Sequence, residues 1–399
     1  MAGLNTAGEL LQLFRIGAVA TRSELQQTTG LARSTVTNRV DALLANGYLI
    51  EDGNVNDPGR GRPSTRLRIN DQDTTVLAAD LGATHGRLAV ATAAGQVLSE
   101  QMIKSSIASG PEAVLSTVVD QLRAMLNTSR RSRAGVRGLG LGVPGPVDLD
   151  RGRIARSISM PGWDDYPVRD YLQKALGLPT VVDNDANLLG LGEQRRCYPD
   201  AHLLLFVKVG TGIGASIVID GEIVRGAGSM EGDIGHAKIV GVTDTCSCGA
   251  QGCLAATASG RAMTRDLRAL GHPTHTTRDV VDLARGGNAD AVRIISAAGR
   301  ALGDVLSTAV SLLNPNVVVI GGDIVHAHEW FLLGVRDTLT ARSQPLSTAH
   351  LTVAPSILGD RAGITGAAAM VSDLVFSRDA VDAAVSTAPF APSKAAAAR

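Results

Sequence analysis

The stretch HLLLFVKVGTGIGASIVIDGEIV, residues 202–224, contains two apolar runs separated by a glycine-rich turn. Runs of Val, Ile and Leu around such a turn predict a pair of β-strands. The same order of strand, glycine turn and strand occurs earlier in TVLAADLGATHGRLAV, residues 75–90. This repetition predicts two related halves within one large domain.

Strand-like and helical segments alternate on both sides of this stretch, from about residue 74 onward. Residues 111–127 and 288–315 have helical patterns, whereas VRGLGLGVPGPVD and NVVVIGGDIV read as buried strands that end in glycine turns. Such alternation predicts an α/β domain, assigned to residues 71–380. The end of the chain, residues 381–399, is rich in Ala and Pro and is predicted to be a disordered tail.

The first 70 residues predict a separate winged helix-turn-helix domain. Three short helical patterns are followed by two β-prone runs around a Gly/Pro/Asn-rich turn. The third helix and the turn carry the side chains expected to contact DNA. These residues are Arg33, Ser34, Thr35, Thr37, Asn38, Arg39, Arg60 and Arg62. The alternative is a solvated polar helix with a basic loop, as in helix-turn-helix modules that bind proteins.

The bulk composition excludes several classes of protein. The chain has 38 basic and 38 acidic residues, so no net charge draws it to nucleic acid or membranes, and any such role must be local. It lacks a signal peptide and a run of about 18 apolar residues, so no membrane association is expected. The protein is therefore predicted to be cytoplasmic, where clustered cysteines bind metal more often than they form disulfides.

Three of the four cysteines lie close together in GDIGHAKIVGVTDTCSCGAQGC, residues 232–253. Together with His236, they offer the Cys₃His ligand set of a structural zinc site: Cys246, Cys248 and Cys253. A redox pair would more often be C-x-x-C, and a nucleophilic thiol would need one cysteine with a base. The stretch therefore predicts bound Zn²⁺, with Cys197 a small core residue.

Glycine turns at three strand ends suggest a nucleotide site. Backbone N–H groups in such turns can approach phosphate oxygens, and a carboxylate such as Asp80 can hold Mg²⁺ through water. The candidates for binding ATP are Asp80, Gly82, Thr84, Gly210, Thr211, Gly212, Gly321 and Gly322. Each turn alone is more typical of an ordinary hairpin, but the occurrence of all three in this order, over two halves of one α/β domain, favours a nucleotide site.

The segment VVDNDANLLGLGEQ places Asn184 and Asp185 between an apolar strand and a helix. There Asp185 is a candidate general base toward a substrate hydroxyl, with Asn184 holding a neighbouring hydroxyl. The alternative is that both residues cap the helix, a common role for Asp and Asn.

Together these motifs resemble the ROK family of repressors, open reading frames and sugar kinases, and specifically its members with an N-terminal winged helix. The segments LAADLGATHGRLAV, LGLGVPGPVD, VDNDAN, VKVGTGIGASIVIDGEIVRGAGSMEGDIGH and CSCGAQGC carry the resemblance. It spans about residues 10–375 and implies an actin-like ATPase fold, related to ribonuclease H, with two lobes and a cleft.

The resemblance also implies roles for single residues. Asn184, Asp185, Asp233 and His236 would bind a sugar, and His236 would bind zinc as well. Two positions differ from the kinases of the family, which carry Glu where this chain has Asp233 and Ala255. Ala255 cannot accept a hydrogen bond, so a sugar contact worth about 1–3 kcal/mol is missing.

Two functions remain open from the sequence. The first is a sugar-responsive transcriptional repressor of carbohydrate genes, which binds operator DNA and a sugar or sugar phosphate as a homodimer or homotetramer. The alternative is an ATP-dependent sugar kinase, similar to glucokinase, with a DNA-binding extension and Asp185 as its base. The winged helix and the altered Asp233 and Ala255 favour the repressor.

Overall fold

The computed structural model describes residues 5–55, 64–129, 135–155 and 160–387. Its N-terminal domain has three helices and an antiparallel strand pair: α1 (Ala7–Arg15), α2 (Arg22–Thr29), α3 (Arg33–Ala45), β1 (Leu49–Val55) and β2 (Ser64–Ile69). Thr6 and Thr21 each form a capping box with the glutamate three residues on, which starts α1 and α2. This is the winged-helix arrangement expected from the sequence.

Two five-stranded sheets form the larger domain and have the same topology. The first has the order β5-β4-β3-β6-β9 and the second β12-β11-β10-β13-β14. In each, three consecutive strands form an antiparallel meander and two more add in parallel. The predicted relation between two halves is therefore confirmed. The strands are β3 (Thr75–Leu81), β4 (His85–Thr92), β5 (Val97–Lys104), β6 (Val136–Val143), the short pair β7 (Val147–Asp148) and β8 (Arg153–Ile154), β9 (Thr180–Asn184), β10 (Leu203–Val209), β11 (Ile213–Ile219), β12 (Glu222–Ile223), β13 (Val317–Gly321) and β14 (Thr352–Pro355).

Helices cover both sheets and bury their apolar faces against them. They are α4 (Pro111–Thr128), α5 (Val168–Leu176), α6 (Asp185–Cys197), α7 (Leu254–Ala258), α8 (Gly260–Ala269), α9 (Thr277–Arg285), α10 (Ala289–Leu313), α11 (His328–Arg342), α12 (Pro345–Thr348), α13 (Ala362–Val375) and α14 (Arg378–Thr387). Among the described residues, no helix is long and apolar enough to cross a membrane.

Helices α6 and α13 pack closely at the centre of the domain. A Cβ added at Gly366 would lie 1.9 Å from the Leu188 carbonyl oxygen, and one added at Gly192 would lie 2.4 Å from that of Ala362. The backbones can approach this closely only because both positions lack a side chain. Since α6 joins the two sheets in the chain and α13 returns to the first sheet, this contact holds the two lobes together.

The end of the chain corrects one prediction. Residues 381–387 were expected to be disordered, but they complete α14, and Val381 is fully buried. Asp382 accepts a hydrogen bond of 2.7 Å from the backbone N–H of Gly8, so α14 packs on α1 of the N-terminal domain. Tertiary packing thus orders a segment whose composition alone favours disorder. The remaining tail, residues 388–399, lies outside the described residues.

Candidate functional site

A cleft of about 890 Å³ lies between the two lobes. Its walls are the glycine turns after β3 and β10, the start of α6, and the loop from Ser229 to His236. Sequence segments far apart in the chain therefore converge on one cavity. Of the expected nucleotide and sugar residues, those that line the cleft are Asp80, Gly82, Thr84, Asn184, Asp185, Gly210, Thr211, Gly212, Asp233, His236 and Gly322.

Gly321 is the exception among these candidates. It lies at the end of β13, where an added Cβ would meet the ring of Phe206 at 2.3 Å, and it is not part of the cleft lining. The glycine at this position therefore makes room for an aromatic core residue. Its expected contact with a nucleoside finds no support in this geometry.

Asp80 lies at the floor of the cleft, near the end of β3. Burial, opposed by Lys208 and reinforced by Asp185, raises the pKa of Asp80 to about 6. The carboxylate packs against two glycines, Gly363 and Gly142. A Cβ atom added at Gly363 would lie 2.0 Å from a carboxylate oxygen of Asp80, and one added at Gly142 would lie 2.9 Å from the other.

Asn184 and Asp185 have different surroundings, although they are adjacent. Asn184 is the N-cap of α6: its Oδ1 accepts a hydrogen bond of 2.9 Å from Ala186 N, and its Nδ2 donates one of 3.1 Å to Gly145 O. The capping role weighed from the sequence is therefore present. Asp185 is the first residue of the helix, is buried, and forms an ion pair with Lys208.

Lys208 is the residue that the sequence reasoning missed in this site. Burial alone would lower its pKa, but the carboxylates of Asp185 and Asp80 more than offset that effect, and the pKa of Lys208 is raised. Its ammonium group is therefore charged within the cleft. A signal was present in the sequence, because Lys208 is the one charged residue in the otherwise apolar strand LLLFVKV.

A second ionic cluster fastens the loop after β12 to the start of α6. Arg225 forms ion pairs with the buried Asp183 and with Glu231, at 3.3 Å for the latter. Glu231 also accepts hydrogen bonds from Gly226 N and Asn187 Nδ2. These contacts hold the segment that carries Asp233 and His236 at the mouth of the cleft.

His236 faces two groups through its two ring nitrogens. Nδ1 lies 3.7 Å from the Cys246 sulfur, and Nε2 lies 3.9 Å from a carboxylate oxygen of Asp233. Burial raises the pKa of Asp233, and His236 partly offsets this. Ala255 also lines the cleft, so the position where family kinases carry Glu presents only a methyl group.

The His/Cys cluster has the geometry of a four-ligand metal centre. The ligand atoms of His236, Cys246, Cys248 and Cys253 lie within 4.8 Å of one another, and this cluster could bind a metal ion. The sulfurs of Cys248 and Cys253 are 3.7 Å apart. Zinc–sulfur bonds of about 2.3 Å at tetrahedral angles separate two sulfurs by about 3.8 Å. The donor set and its spacing therefore fit zinc.

The third helix of the N-terminal domain presents a polar face to solvent. Val36, Val40 and Leu43 are buried toward the domain core. Most of the expected DNA contacts lie on the other sides of the helix, with Arg33, Ser34, Asn38 and Arg39 exposed and Thr35 and Thr37 half-buried. Arg60 and Arg62 of the wing lie outside the described residues.

An ionic linkage connects this domain to the end of α6. Asp373 of α13 pairs with Arg15 of α1 and, at 2.6 Å and 3.1 Å, with both terminal nitrogens of Arg195. Arg195 also donates to the carbonyl of Gly221, through Nε at 2.9 Å and Nη2 at 2.7 Å. Because α6 begins at Asp185 and carries Arg195 in its last turn, this helix extends from the cleft to Asp373, the residue that pairs with Arg15 of the N-terminal domain.

The known proteins that match this chain fall into two groups, which differ in how much of the chain they cover. A model of the ROK family matches residues 76–374. The xylose repressor of Caldicellulosiruptor bescii is 28% identical over 372 residues, covering 90% of this chain and 93% of that protein. The glucokinase of Halalkalibacterium halodurans is 30% identical over 310 residues, covering 74% of this chain and 94% of that enzyme.

Among solved structures, a ROK family transcriptional regulator, a homologue of the E. coli MLC protein, has a TM-score of 0.77 at 25% identity. The match covers 95% of this chain and 98% of the regulator. The actin-like, two-lobe fold with an additional N-terminal domain is therefore confirmed. The matches to the repressor and the regulator extend over at least 90% of the chain, whereas the match to the glucokinase leaves about a quarter of it uncovered.

Proposed function

The chain belongs to the ROK family, and we propose that it is a sugar-responsive transcriptional repressor of carbohydrate genes that acts in the cytoplasm. The observation that carries this proposal is the extent of the matches. The similar repressor and regulator align with at least 90% of the chain, and the glucokinase with 74%. The additional N-terminal domain has the helices and wing of a DNA-binding module.

The exposed face of α3 is the part of this domain expected to enter the major groove. Arg39 and Asn38 lie on it and can donate hydrogen bonds to base edges. A single winged helix buries too little surface for tight specific binding, so we infer that the protein acts as a homodimer or homotetramer on paired half-sites.

An electrophoretic or fluorescence assay on the operator tests this interface. We expect Arg39→Ala to weaken operator binding by about 1–3 kcal/mol if the side chain reads a base. Arg278→Ala removes an exposed arginine from α9 in the second lobe and serves as the matched control. Equal operator affinity for the wild type and Arg39→Ala would contradict the assignment of α3.

The cleft is the site proposed for the sugar, because carboxylate and imidazole groups line it beside an open cavity. Asp185, Asp233 and His236 can exchange hydrogen bonds with sugar hydroxyls. Zinc held by His236, Cys246, Cys248 and Cys253 would brace the loop that presents His236. Xylose is the first sugar to test by calorimetry, since a similar repressor is named for it.

The response to sugar requires a route from the cleft to the N-terminal domain, and α6 provides one. The helix starts at the proposed sugar contacts, and its Arg195 binds the same carboxylate of Asp373 that pairs with Arg15 of α1. A sugar that shifts α6 would move one partner of this linkage. The N-terminal domains of a dimer would then change their spacing relative to the operator.

The second candidate is an ATP-dependent sugar kinase, favoured by Asp185 at the cleft and by the glycine turns that line it. A coupled assay with ATP, Mg²⁺ and a panel of hexoses, pentoses and amino sugars decides between the two. Turnover that Asp185→Asn abolishes would establish the kinase. Absence of turnover, with sugar-dependent release of operator DNA, would leave the repressor.

A further inference from the structure

The ammonium group of Lys208 lies among carboxylates in the cleft. It forms an ion pair with Asp185, whose side chain is only 6% exposed, and it is close enough to Asp80 and Asp323 for both to raise its pKa. Burial and the neighbouring charge of Asp185 both raise the pKa of Asp80, and Lys208 opposes this rise. Lys208 therefore neutralises part of a concentrated negative charge.

This position is where a divalent cation would be expected to bind. Mg²⁺ in a phosphoryl-transfer site is held by one or two carboxylates together with phosphate oxygens. Asp185 pairs with Lys208, Asp80 also acts on its charge, and both carboxylates line the cleft beside the glycine turns. An ammonium group already paired with Asp185 repels a second cation from the same oxygens.

We propose that Lys208 is an internal counter-ion that takes the place of a divalent cation in the cleft. Its ion pair with Asp185 leaves that side chain able to accept hydrogen bonds from a sugar, and its positive charge excludes Mg²⁺ from Asp80 and Asp185. The cleft thus binds a neutral sugar without assembling a metal–nucleotide complex.

This inference rests on the proposed function, because it explains how a kinase-like cleft serves as a sensor. It predicts that removal of one positive charge creates a metal site. In Lys208→Met, Asp185 loses its paired cation and Asp80 loses the larger of its two positive neighbours among the described residues, with Arg87 remaining near Asp80. A divalent cation is then the ligand that restores the charge balance.

Binding of Mn²⁺ to the full-length protein, followed by electron paramagnetic resonance, tests the proposal. Mn²⁺ prefers oxygen ligands and competes poorly with zinc for thiolates, so the signal reports the carboxylates. We expect Lys208→Met to bind one Mn²⁺ at least about tenfold more tightly than the wild type, because a repulsive charge is lost. Lys174→Met, which removes an exposed lysine of α5, is the matched control and should bind like the wild type.

The double variant Lys208→Met/Asp80→Asn assigns the new site, since it should lose the added Mn²⁺ binding. Equal Mn²⁺ affinity in the wild type and Lys208→Met would overturn the proposal, as would added binding that survives Asp80→Asn. If circular dichroism shows that Lys208→Met does not fold, Lys208→Gln replaces it. The wild type gives a separate test: Mn²⁺ binding that Asp80→Asn alone abolishes would also overturn the proposal.

The repressor proposal is measured separately on the same wild-type protein. Operator release by sugar in Mg²⁺-free buffer agrees with both proposals. Sugar-dependent release that requires Mg²⁺ would overturn the role of Lys208 and leave the repressor intact. Absence of any sugar response would overturn the repressor, whereas the comparison of Mn²⁺ binding would still decide the role of Lys208.

Discussion

The substitution Asp373→Asn tests whether α6 connects the cleft to the N-terminal domain. Asp373 accepts hydrogen bonds from Arg195 at 2.6 Å and 3.1 Å and pairs with Arg15 of α1. Asparagine keeps the shape of the side chain but removes its charge. The linkage between α6, α13 and α1 should therefore weaken without opening a cavity.

The size of the effect follows from the exposure of the partners. Hydrogen bonds to charged groups contribute about 1.5–3 kcal/mol when they are shielded, and exposed ion pairs contribute at most about 1 kcal/mol. The side chains of Asp373 and Arg195 are 35% and 31% exposed, which places this pair between the two cases. We expect a loss of about 1–2 kcal/mol from the linkage.

The assay measures the dissociation constant of the protein for operator DNA with and without saturating sugar. In the wild type the ratio of the two constants measures the coupling between the sites. A loss of about 1 kcal/mol in coupling reduces this ratio about fivefold in Asp373→Asn. Operator affinity without sugar should change little, because α3 is untouched. Asp379→Asn removes a nearby exposed carboxylate and is the matched control.

Two results would refute the reasoning. A full sugar response in Asp373→Asn would show that the linkage does not transmit the effect of the sugar. An equal loss in Asp379→Asn would show that general charge in this region is responsible. Either result would direct attention to other contacts between α14 and α1.

Three further predictions concern the cleft, the metal cluster and the core. In the wild type, the free energy of unfolding should fall as the pH rises from about 4 to about 6, and Asp80→Asn should remove this fall. The pKa of Asp80 is raised from 3.8 to about 6, so over this range native Asp80 holds a proton that the unfolded chain has released, and this difference contributes up to about 3 kcal/mol. Unfolding curves that keep their pH slope in the variant would contradict this. Metal analysis should find one zinc per chain, lost in Cys248→Ser and kept in Cys197→Ser; zinc that survives in Cys248→Ser would exclude the cluster. Gly366→Ala should destabilise the protein by at least about 1–3 kcal/mol in thermal denaturation, because its Cβ would lie 1.9 Å from the carbonyl of Leu188; Gly135→Ala, with no neighbour within 4 Å, should not.

Local signals in the sequence were sufficient for much of the fold. The helix starts at Thr6 and Thr21 follow from capping boxes that involve residues three apart. The two glycine turns and their flanking apolar runs predicted the two related sheets. The cluster of His236 with three cysteines was also recognisable, because all four residues lie within one short loop.

Contacts between distant segments could not be predicted from local patterns. The pairing of Lys208 with Asp185, the docking of Asp382 on Gly8, and the linkage through Asp373 join residues that are far apart in the chain. Spacing within a helix or strand reports only which neighbours share a face. Which faces meet depends on how the two lobes and the N-terminal domain pack. For that reason local patterns were enough to place the helices, the strands and the His/Cys cluster, whereas the packing of the folded chain was needed to show that a lysine occupies the cleft and that α14 joins the N-terminal domain.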